Sequence, residues 1–130
     1  MLTFQGHGYT PGFTENMKRV VSEIRAGRPI SLVDGPDDIC AGLTAKCRAD
    51  VDHDCTAAKI NGLDTVAIKD VSRVLDRDLR VANPISENEL NLLRQAYRNG
   101  DIRAACESCR WKPLCDVIST EGFQETVLAT

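Results

Sequence analysis

Three cysteines near the end of the chain, Cys106, Cys109 and Cys115, are spaced as C-x2-C-x5-C, and this spacing constrains the fold more than any other sequence feature. The first two cysteines are three positions apart, so a tight turn places both sulfurs on one side. The five residues between Cys109 and Cys115 then allow the chain to fold back, so that a third thiolate can lie beside the first two. Because Trp111 and Leu114 in that spacer can shield a site from water, the segment predicts thiolates that hold one inorganic centre.

The identity of that centre depends on which further metal ligands the rest of the sequence can supply. Structural zinc sites usually combine two C-x2-C pairs, or cysteines with a pair of histidines. This chain has a single C-x2-C pair and two histidines, His7 and His53. Three close thiolates with a distant fourth are a common arrangement for a 4Fe–4S cluster. We therefore expect an iron–sulfur cluster, with 4Fe–4S favoured and zinc as the alternative cofactor.

The fourth ligand has three candidates among the cysteines of the first half of the chain. Cys40 is favoured because it follows a predicted strand and turn that a core would hold firmly, whereas Cys55 and Cys47 lie deeper in a stretch without period and are less certain. The predicted ligands are Cys40, Cys106, Cys109 and Cys115. Two alternatives stay open, since a free cysteine also packs as a small apolar residue, and a separate zinc site is conceivable. That zinc site would consist of Cys40, Cys47, Cys55 and His53.

Other polar residues are explained more simply by structure than by chemistry. No serine or cysteine nucleophile stands in a recognisable motif beside His7, so we expect a structural or hydrogen-bonding role for it. Alternating acids at positions 50, 52 and 54 suggest a calcium loop, but Cys55 and Asn61 occupy the EF-hand glycine and glutamate positions. Because no catalytic motif is recognised, we do not expect the chain to be an enzyme by itself.

The hydrophobic pattern predicts a small, predominantly helical α+β fold. Apolar residues recur on one helix face between Phe13 and Ile24, and Thr10 is a suitable N-cap for that helix. A second helix is expected around Ile68–Leu79 from apolar residues three and four apart. A third follows the capping box formed by Ser86 and Glu89. The sequence therefore predicts about three main helices.

Two cysteine-bearing loops and a short β element complete the predicted organisation. Residues Leu2–Gln5 could pair as a short strand, and Ile30–Val33 is a second β-like run that ends in a strong turn signal. The cysteine-bearing loops cover about 37–61 and the C-terminal segment 106–115. With no internal repeat or linker, residues 1–130 are expected to form a single domain.

Charge and hydropathy exclude some classes of partner. There are 16 lysine and arginine residues against 19 aspartates and glutamates, a net charge of −3, which argues against nucleic acid or an anionic membrane. No run approaches the roughly 18 apolar residues of a membrane span, and no export signal is visible. We therefore expect a cytoplasmic protein without a nucleic-acid or membrane partner, and we leave a protein partner open. In a reducing compartment, cysteines favour metal or redox chemistry over permanent disulfides.

These observations define three hypotheses for the function. The leading one is a small cytoplasmic metal-binding protein that holds an iron–sulfur cluster with a redox, sensing or structural role. The first alternative is a zinc-stabilised interaction module without redox activity. The second is a thiol–disulfide redox enzyme in which a low-pKa cysteine within Cys106-x-x-Cys109 reacts, although the βαβ context of thioredoxin is missing.

Three separated blocks of sequence also carry a family likeness. With them the chain resembles the bacterial and archaeal family called domain of unknown function 1284, over nearly its whole length. The blocks are GHGYTPGFTENM from Gly6 to Met17, VDGPDDIC from Val33 to Cys40, and C-x-x-C-x-W-x-x-L-C from Cys106 to Cys115. The resemblance implies an iron–sulfur protein without an assigned activity. Carried over by position, it points to Cys40, Cys106, Cys109 and Cys115, with Cys55 as a further candidate.

Overall fold

The computed structural model describes residues 1–35, 37–42 and 58–129, with side chains in the last range from Gly62 onward. Within these ranges the fold contains four α-helices, and the predicted, predominantly helical character is confirmed. Two short 3-10 turns, Cys40–Gly42 and Ala104–Cys106, connect them. The helices are α1 (Pro11–Arg25), α2 (Ala58–Leu75), α3 (Glu87–Asn99) and α4 (Lys112–Thr120).

Side-chain hydrogen bonds at the helix starts agree with the sequence. The Thr10 hydroxyl accepts from the Phe13 amide at 3.1 Å, so it caps α1 as predicted. The predicted capping box of α3 is also confirmed, because Ser86 Oγ accepts from the Glu89 amide at 3.1 Å and Glu89 Oε2 accepts from the Ser86 amide at 3.0 Å. Helix α2 ends at Leu75, so Leu79 of the predicted helix lies beyond it and is buried in the connecting segment.

The predicted β element is wrong. Ile30 and Asn83 exchange two backbone hydrogen bonds, of 2.9 and 3.0 Å, but they form an isolated antiparallel bridge. No strand extends from this bridge in the described part of the chain. The physical reason is a loss of register, because the next hydrogen-bonded pair of an antiparallel ladder would be Leu32 with Val81, whereas the Leu32 amide donates to the Leu79 carbonyl at 2.8 Å. The β-like run Ile30–Val33 is therefore extended backbone without a sheet.

The N-terminal segment packs as turns instead of the predicted strand. Leu2–Gln5 makes turns and bends, and the Phe4 carbonyl accepts from the Val127 amide at 2.9 Å. Phe4 is 6% exposed and packs against α1 and the end of the chain. This pairing brings both ends of the described chain onto the same face of α1. The buried residues of this cluster are Phe4, Val20, Val21, Ile24 and Leu128.

A second cluster forms between α3 and α4. Its centre is Phe123, which follows α4 and is 1% exposed. The half-buried thiols of Cys106 and Cys115 pack against its edge, so the cysteine segment is attached directly to the core. Burial of this kind is the main driving force for holding the segment in place. The buried members are Leu93, Ala96, Tyr97, Ile102, Ile118 and Phe123.

An ion pair between the segment that follows α2 and the first turn of α3 makes stability depend on pH. Arg77 Nε donates to Glu89 Oε1 at 2.6 Å, and only 22% and 21% of the two side chains is exposed. Hydrogen bonds from Arg77, and then from the Ser86 amide, lower the pKa of Glu89 below its ordinary value of 4.5. The pair therefore stabilises the fold fully above that value, and this contribution is lost as the pH falls through the folded pKa.

We expect Glu89→Gln to lower the free energy of unfolding by up to about 1 kcal/mol at pH 7, because glutamine keeps the cap but not the charge. Urea denaturation at several pH values measures the difference from the wild type. That difference should begin to shrink near pH 4.5 and approach zero below the folded pKa. A difference that stays constant from pH 7 to pH 3 would contradict the assignment.

In the ranges that the structure describes, no helix is long and apolar enough to span a membrane.

Candidate metal centre

The C-terminal cysteine segment folds as consecutive turns that lead into α4. Cys106 closes a 3-10 turn, and the Cys109 amide donates to the Cys106 carbonyl at 3.0 Å. Cys115 lies in the first part of α4, where its amide donates to the Trp111 carbonyl at 2.9 Å. Cys106 and Cys115 are half-buried, Cys109 is exposed, and all three are free thiols. The chain therefore returns on itself between the second and third cysteines, as the spacing predicts.

All three thiols line one cavity of about 500 Å³. Most of its other walls are apolar side chains from α1, α2, α3 and the N-terminal segment, and volumes and linings of this kind are typical of ligand sites. Trp111 and Leu114 line it beside the thiols, as the sequence predicts for a shielded site. Its polar lining residues besides the thiols include Thr3, Gln5, His7 and Tyr97.

The sulfur of Cys115 is surrounded by hydroxyl donors. Thr3 Oγ1 donates to Cys115 Sγ at 3.2 Å, and the Tyr97 hydroxyl lies within hydrogen-bonding reach of the same thiol. Burial, and then the neighbouring thiols of Cys115 and Cys106, raise the pKa of Tyr97. Its hydroxyl therefore keeps its proton at neutral pH and acts as a donor. Two hydroxyl groups from different parts of the chain therefore lie beside one sulfur.

The thiol of Cys106 faces a cation that is held from the other side. Arg103, with 13% of its side chain exposed, lies within hydrogen-bonding reach of Cys106 and donates to Asp116 Oδ1 at 2.6 Å. Its guanidinium also lies over the Tyr97 ring at 4.2 Å. Burial alone would lower the pKa of Arg103, but the hydrogen bonds to Asp116 and Cys106 outweigh it and the pKa is raised. The cation beside Cys106 is therefore permanent.

Asp116 also pairs with a second basic residue. Lys112 Nζ lies 2.9 Å from Asp116 Oδ2, and Lys112 and then Arg103 lower the pKa of Asp116. The Nε atom of Arg103 is buried and has no hydrogen-bond partner among the described residues. An unpaired buried donor beside a thiol is unfavourable unless a further acceptor binds there.

Edge-to-face aromatic rings form the wall next to the cysteine segment. The Tyr9 ring lies 5.2 Å from Phe13 and 5.6 Å from Trp111, and the guanidinium of Arg110 lies 5.1 Å from the centre of the Tyr9 ring. These contacts connect the N-terminus of α1 to the segment 106–115. The aromatic groups thereby separate the thiol cavity from a neighbouring open cleft of about 570 Å³.

The predicted fourth ligand lies in a different cluster. Cys40 is half-buried in a group centred on Phe13, together with Tyr9, Met17 and Ile39, and it is not among the described residues that line the thiol cavity. The less certain candidates Cys47 and Cys55 lie outside the described residues, as does His53. The structure thus brings Cys106, Cys109 and Cys115 to one cavity and places Cys40 against α1.

The three thiols share a wall without closing on one point. In residues 1–35, 37–42 and 58–129, no three histidine, cysteine, aspartate or glutamate side chains come close enough together to hold a metal ion. All ligands of one zinc ion lie about 2.0–2.3 Å from a common centre. The three thiols therefore line one cavity but do not form a preformed site for a metal ion in the described part of the chain.

Comparison with known proteins identifies the family. A family model described as "Protein of unknown function (DUF1284)" matches residues 8–115, more than four fifths of the chain. The chain belongs to the DUF1284 family. The match ends at Cys115, so the complete C-x2-C-x5-C motif lies inside it. No curated protein and no solved structure matches the chain.

Some residues at the site of this DUF1284 protein escaped the sequence analysis. Thr3 and Tyr97 carried no signal, because each looks like an ordinary residue of a strand or a helix face. Arg103 lies three positions before Cys106 in the sequence, and its side chain is within hydrogen-bonding reach of that thiol. Helix α4 was missed as well, although Pro113 in its first turn and the spacing of Leu114, Val117 and Ile118 are helical signals.

Proposed function

We propose that this DUF1284 protein is a small cytoplasmic metal-binding protein that holds an iron–sulfur cluster, with 4Fe–4S favoured. Cys106, Cys109 and Cys115 would hold it as thiolates in the shared cavity. Its role would be redox, sensing or structural. When bound, such a group supplies reversible one-electron transfer. One observation carries the proposal: three thiols line one cavity while polar donors lie beside two of their sulfurs, Thr3 and Tyr97 beside Cys115 and Arg103 beside Cys106.

The donors support a negatively charged centre. Thr3 and Tyr97 lie within hydrogen-bonding reach of the Cys115 sulfur, and Arg103 lies within hydrogen-bonding reach of the Cys106 sulfur. Hydrogen bonds to ligand sulfurs stabilise the negative charge of a thiolate-bound cluster and raise its reduction potential. The Nε–H of the same Arg103 guanidinium is a further donor without an acceptor in the described part of the chain. Neutral thiols are weak acceptors and would form only weak hydrogen bonds with these donors.

The spacing of the cysteines in the sequence favours the cluster over zinc, because three close thiolates with a distant fourth are a common arrangement for a 4Fe–4S cluster. A preformed zinc site needs ligands that converge on one point, and the described residues contain no such group. The fourth ligand predicted from the sequence is Cys40, with Cys55 and Cys47 less certain. These three assignments stay predictions.

Metal analysis after anaerobic purification and cluster reconstitution tests the proposal. We expect about four irons and a similar amount of acid-labile sulfide per chain, with visible absorption that bleaches on reduction. Ser108→Ala is the matched control, because Ser108 is exposed between two of the thiols and its loss should leave the iron content unchanged.

Three results would overturn the proposal. A colourless reconstituted protein without iron or sulfide removes the cluster. One zinc per chain in place of iron favours the zinc-stabilised module instead. A metal-free protein with one rapidly alkylated thiol at Cys106 or Cys109 favours thiol–disulfide chemistry.

A further inference from the structure

We propose that Cys106 and Cys109 form a reversible disulfide with each other when the metal-free chain meets a small external disulfide such as oxidised glutathione. The disulfide itself does not depend on metal binding. Its consequence, that oxidation removes two of the three cavity thiolates from a metal, rests on the proposed function. The cysteine segment then responds to the balance between thiols and disulfides in its surroundings.

The backbone turn between the two cysteines is the first argument. The Cys109 amide donates to the Cys106 carbonyl at 3.0 Å, so a hydrogen bond closes the turn across three residues. The Cα atoms at the ends of such a turn are less than about 7 Å apart, and those of a disulfide are usually about 4.4–6.8 Å apart. The backbone therefore needs little movement to join the two sulfurs.

The direction of the two side chains is the second argument. Cys106 ends the 3-10 turn Ala104–Cys106, and Glu107 continues it with helical angles, a φ of −58° and a ψ of −36°. In this geometry, side chains three positions apart lie almost above one another. Both thiols also line the same cavity. The turn therefore presents the sulfurs of Cys106 and Cys109 on one side of the segment.

A difference in exposure sets the order of the two exchange steps. Cys109 and its neighbours Ser108 and Arg110 are exposed, so an external disulfide can reach the Cys109 sulfur. Cys106 is half-buried and packs against the cluster centred on Phe123. Since thiol–disulfide exchange requires access to the sulfur, Cys109 is the attacking thiol and Cys106 is the resolving thiol.

Two exchange steps account for every atom and electron. In the first, the Cys109 thiolate attacks one sulfur of the external disulfide, forms a mixed disulfide and releases one small thiolate. In the second, the Cys106 thiolate attacks the Cys109 sulfur, forms the protein disulfide and releases the second small thiolate. The two protons of the protein thiols end on the released thiols. The cysteine pair loses two electrons and the external disulfide gains them, so no further oxidant is required.

Oxidised glutathione tests the inference on the reduced, metal-free full chain at about pH 8, where an ordinary thiol is partly ionised. Mass spectrometry after alkylation should show one disulfide per chain, and peptide mapping should place it between Cys106 and Cys109. Ser108→Ala is the matched control, because Ser108 is exposed inside the turn and offers no thiol, so this variant should form the same disulfide.

Two further variants separate the steps. Cys106→Ser should accumulate the mixed disulfide between glutathione and Cys109, because the resolving thiol is missing. Cys109→Ser should form at least about tenfold less of either product at these positions, because the attacking thiol is missing. A wild-type chain with neither product, or with a disulfide that joins Cys106 or Cys109 to Cys115, overturns the inference.

Bound metal should protect the cysteine pair. The reconstituted chain, freed of excess reagents, should form the disulfide at least about tenfold more slowly than the metal-free chain, because its thiolates are already bound. Equal rates in a metal-loaded chain overturn the link between oxidation and the metal site. A chain that binds no metal and still forms the disulfide overturns the proposed function and supports the disulfide.

Discussion

In the Cys109→Ala variant, the iron bound per chain is expected to fall at least about tenfold, because removing one thiolate ligand costs more than the loss of a supporting contact. Cys109 is the exposed member of the three thiols, so its removal takes almost nothing from the core. The metal-free variant should therefore be as stable as the metal-free wild type, to within about 0.5 kcal/mol. The stabilisation that reconstitution confers on the wild type should be missing, because metal-binding free energy is coupled to folding.

Iron analysis and thermal unfolding of both forms, with and without reconstitution, measure these differences. Ser108→Ala should behave as the wild type in all four measurements. A reconstituted Cys109→Ala protein that melts like the reconstituted wild type would contradict the ligand role of Cys109. A metal-free variant much less stable than the metal-free wild type would show that Cys109 acts through packing instead.

Phe123→Ala is expected to lower the free energy of unfolding by about 3–5 kcal/mol, the usual cost of deleting a buried aromatic side chain. Phe123 is 1% exposed, and its ring lies 5.9 Å from Tyr97 in an edge-to-face contact. The guanidinium groups of Arg94 and Arg98 lie 5.8 and 5.6 Å from the ring centre. The variant therefore loses buried apolar area and two cation–π contacts.

Removal of the Phe123 ring should also disturb the packing of the thiol cavity, because Tyr97 contacts both Phe123 and Cys115. Urea denaturation gives the change in free energy, and Val117→Ala is the control, since Val117 lies on the neighbouring helix α4 and is 53% exposed. That control should change stability by less than about 0.5 kcal/mol. A Phe123→Ala protein within about 1 kcal/mol of the wild type would show that the ring is not the centre of the core.

The helix starts could be predicted because their stabilising contacts are local. Thr10 and Phe13, like Ser86 and Glu89, are three residues apart, so the hydrogen bond and the sequence signal occupy the same few positions. The apolar face of α1 could be predicted for the same reason, because its residues recur three and four positions apart along one helix. The prediction of a β element was wrong because strand pairing depends on a distant partner, and beyond the bridge between Ile30 and Asn83 the Leu32 amide donates to Leu79 instead of pairing in register with Val81.

The spacing of Cys106, Cys109 and Cys115 predicted a shared site, and the turns between them place the three thiols on one cavity wall. The fourth ligand was less predictable, because a ligand that is distant in sequence has no characteristic spacing from the other three. The side chains that contact the sulfurs were hard to predict for the same reason. Thr3 reaches Cys115 across 112 positions of sequence, so no local pattern could reveal the contact.

By itself, the sequence determined the helix boundaries at the caps, the thiol spacing and the family to which the chain belongs. The tertiary structure alone decided which hydroxyl and guanidinium groups face the sulfurs, where Cys40 lies, and that His7 stands at the thiol cavity. The division has a physical reason. Helices and turns are stabilised by contacts a few residues apart, whereas the cavity is built where chain segments from both ends pack together.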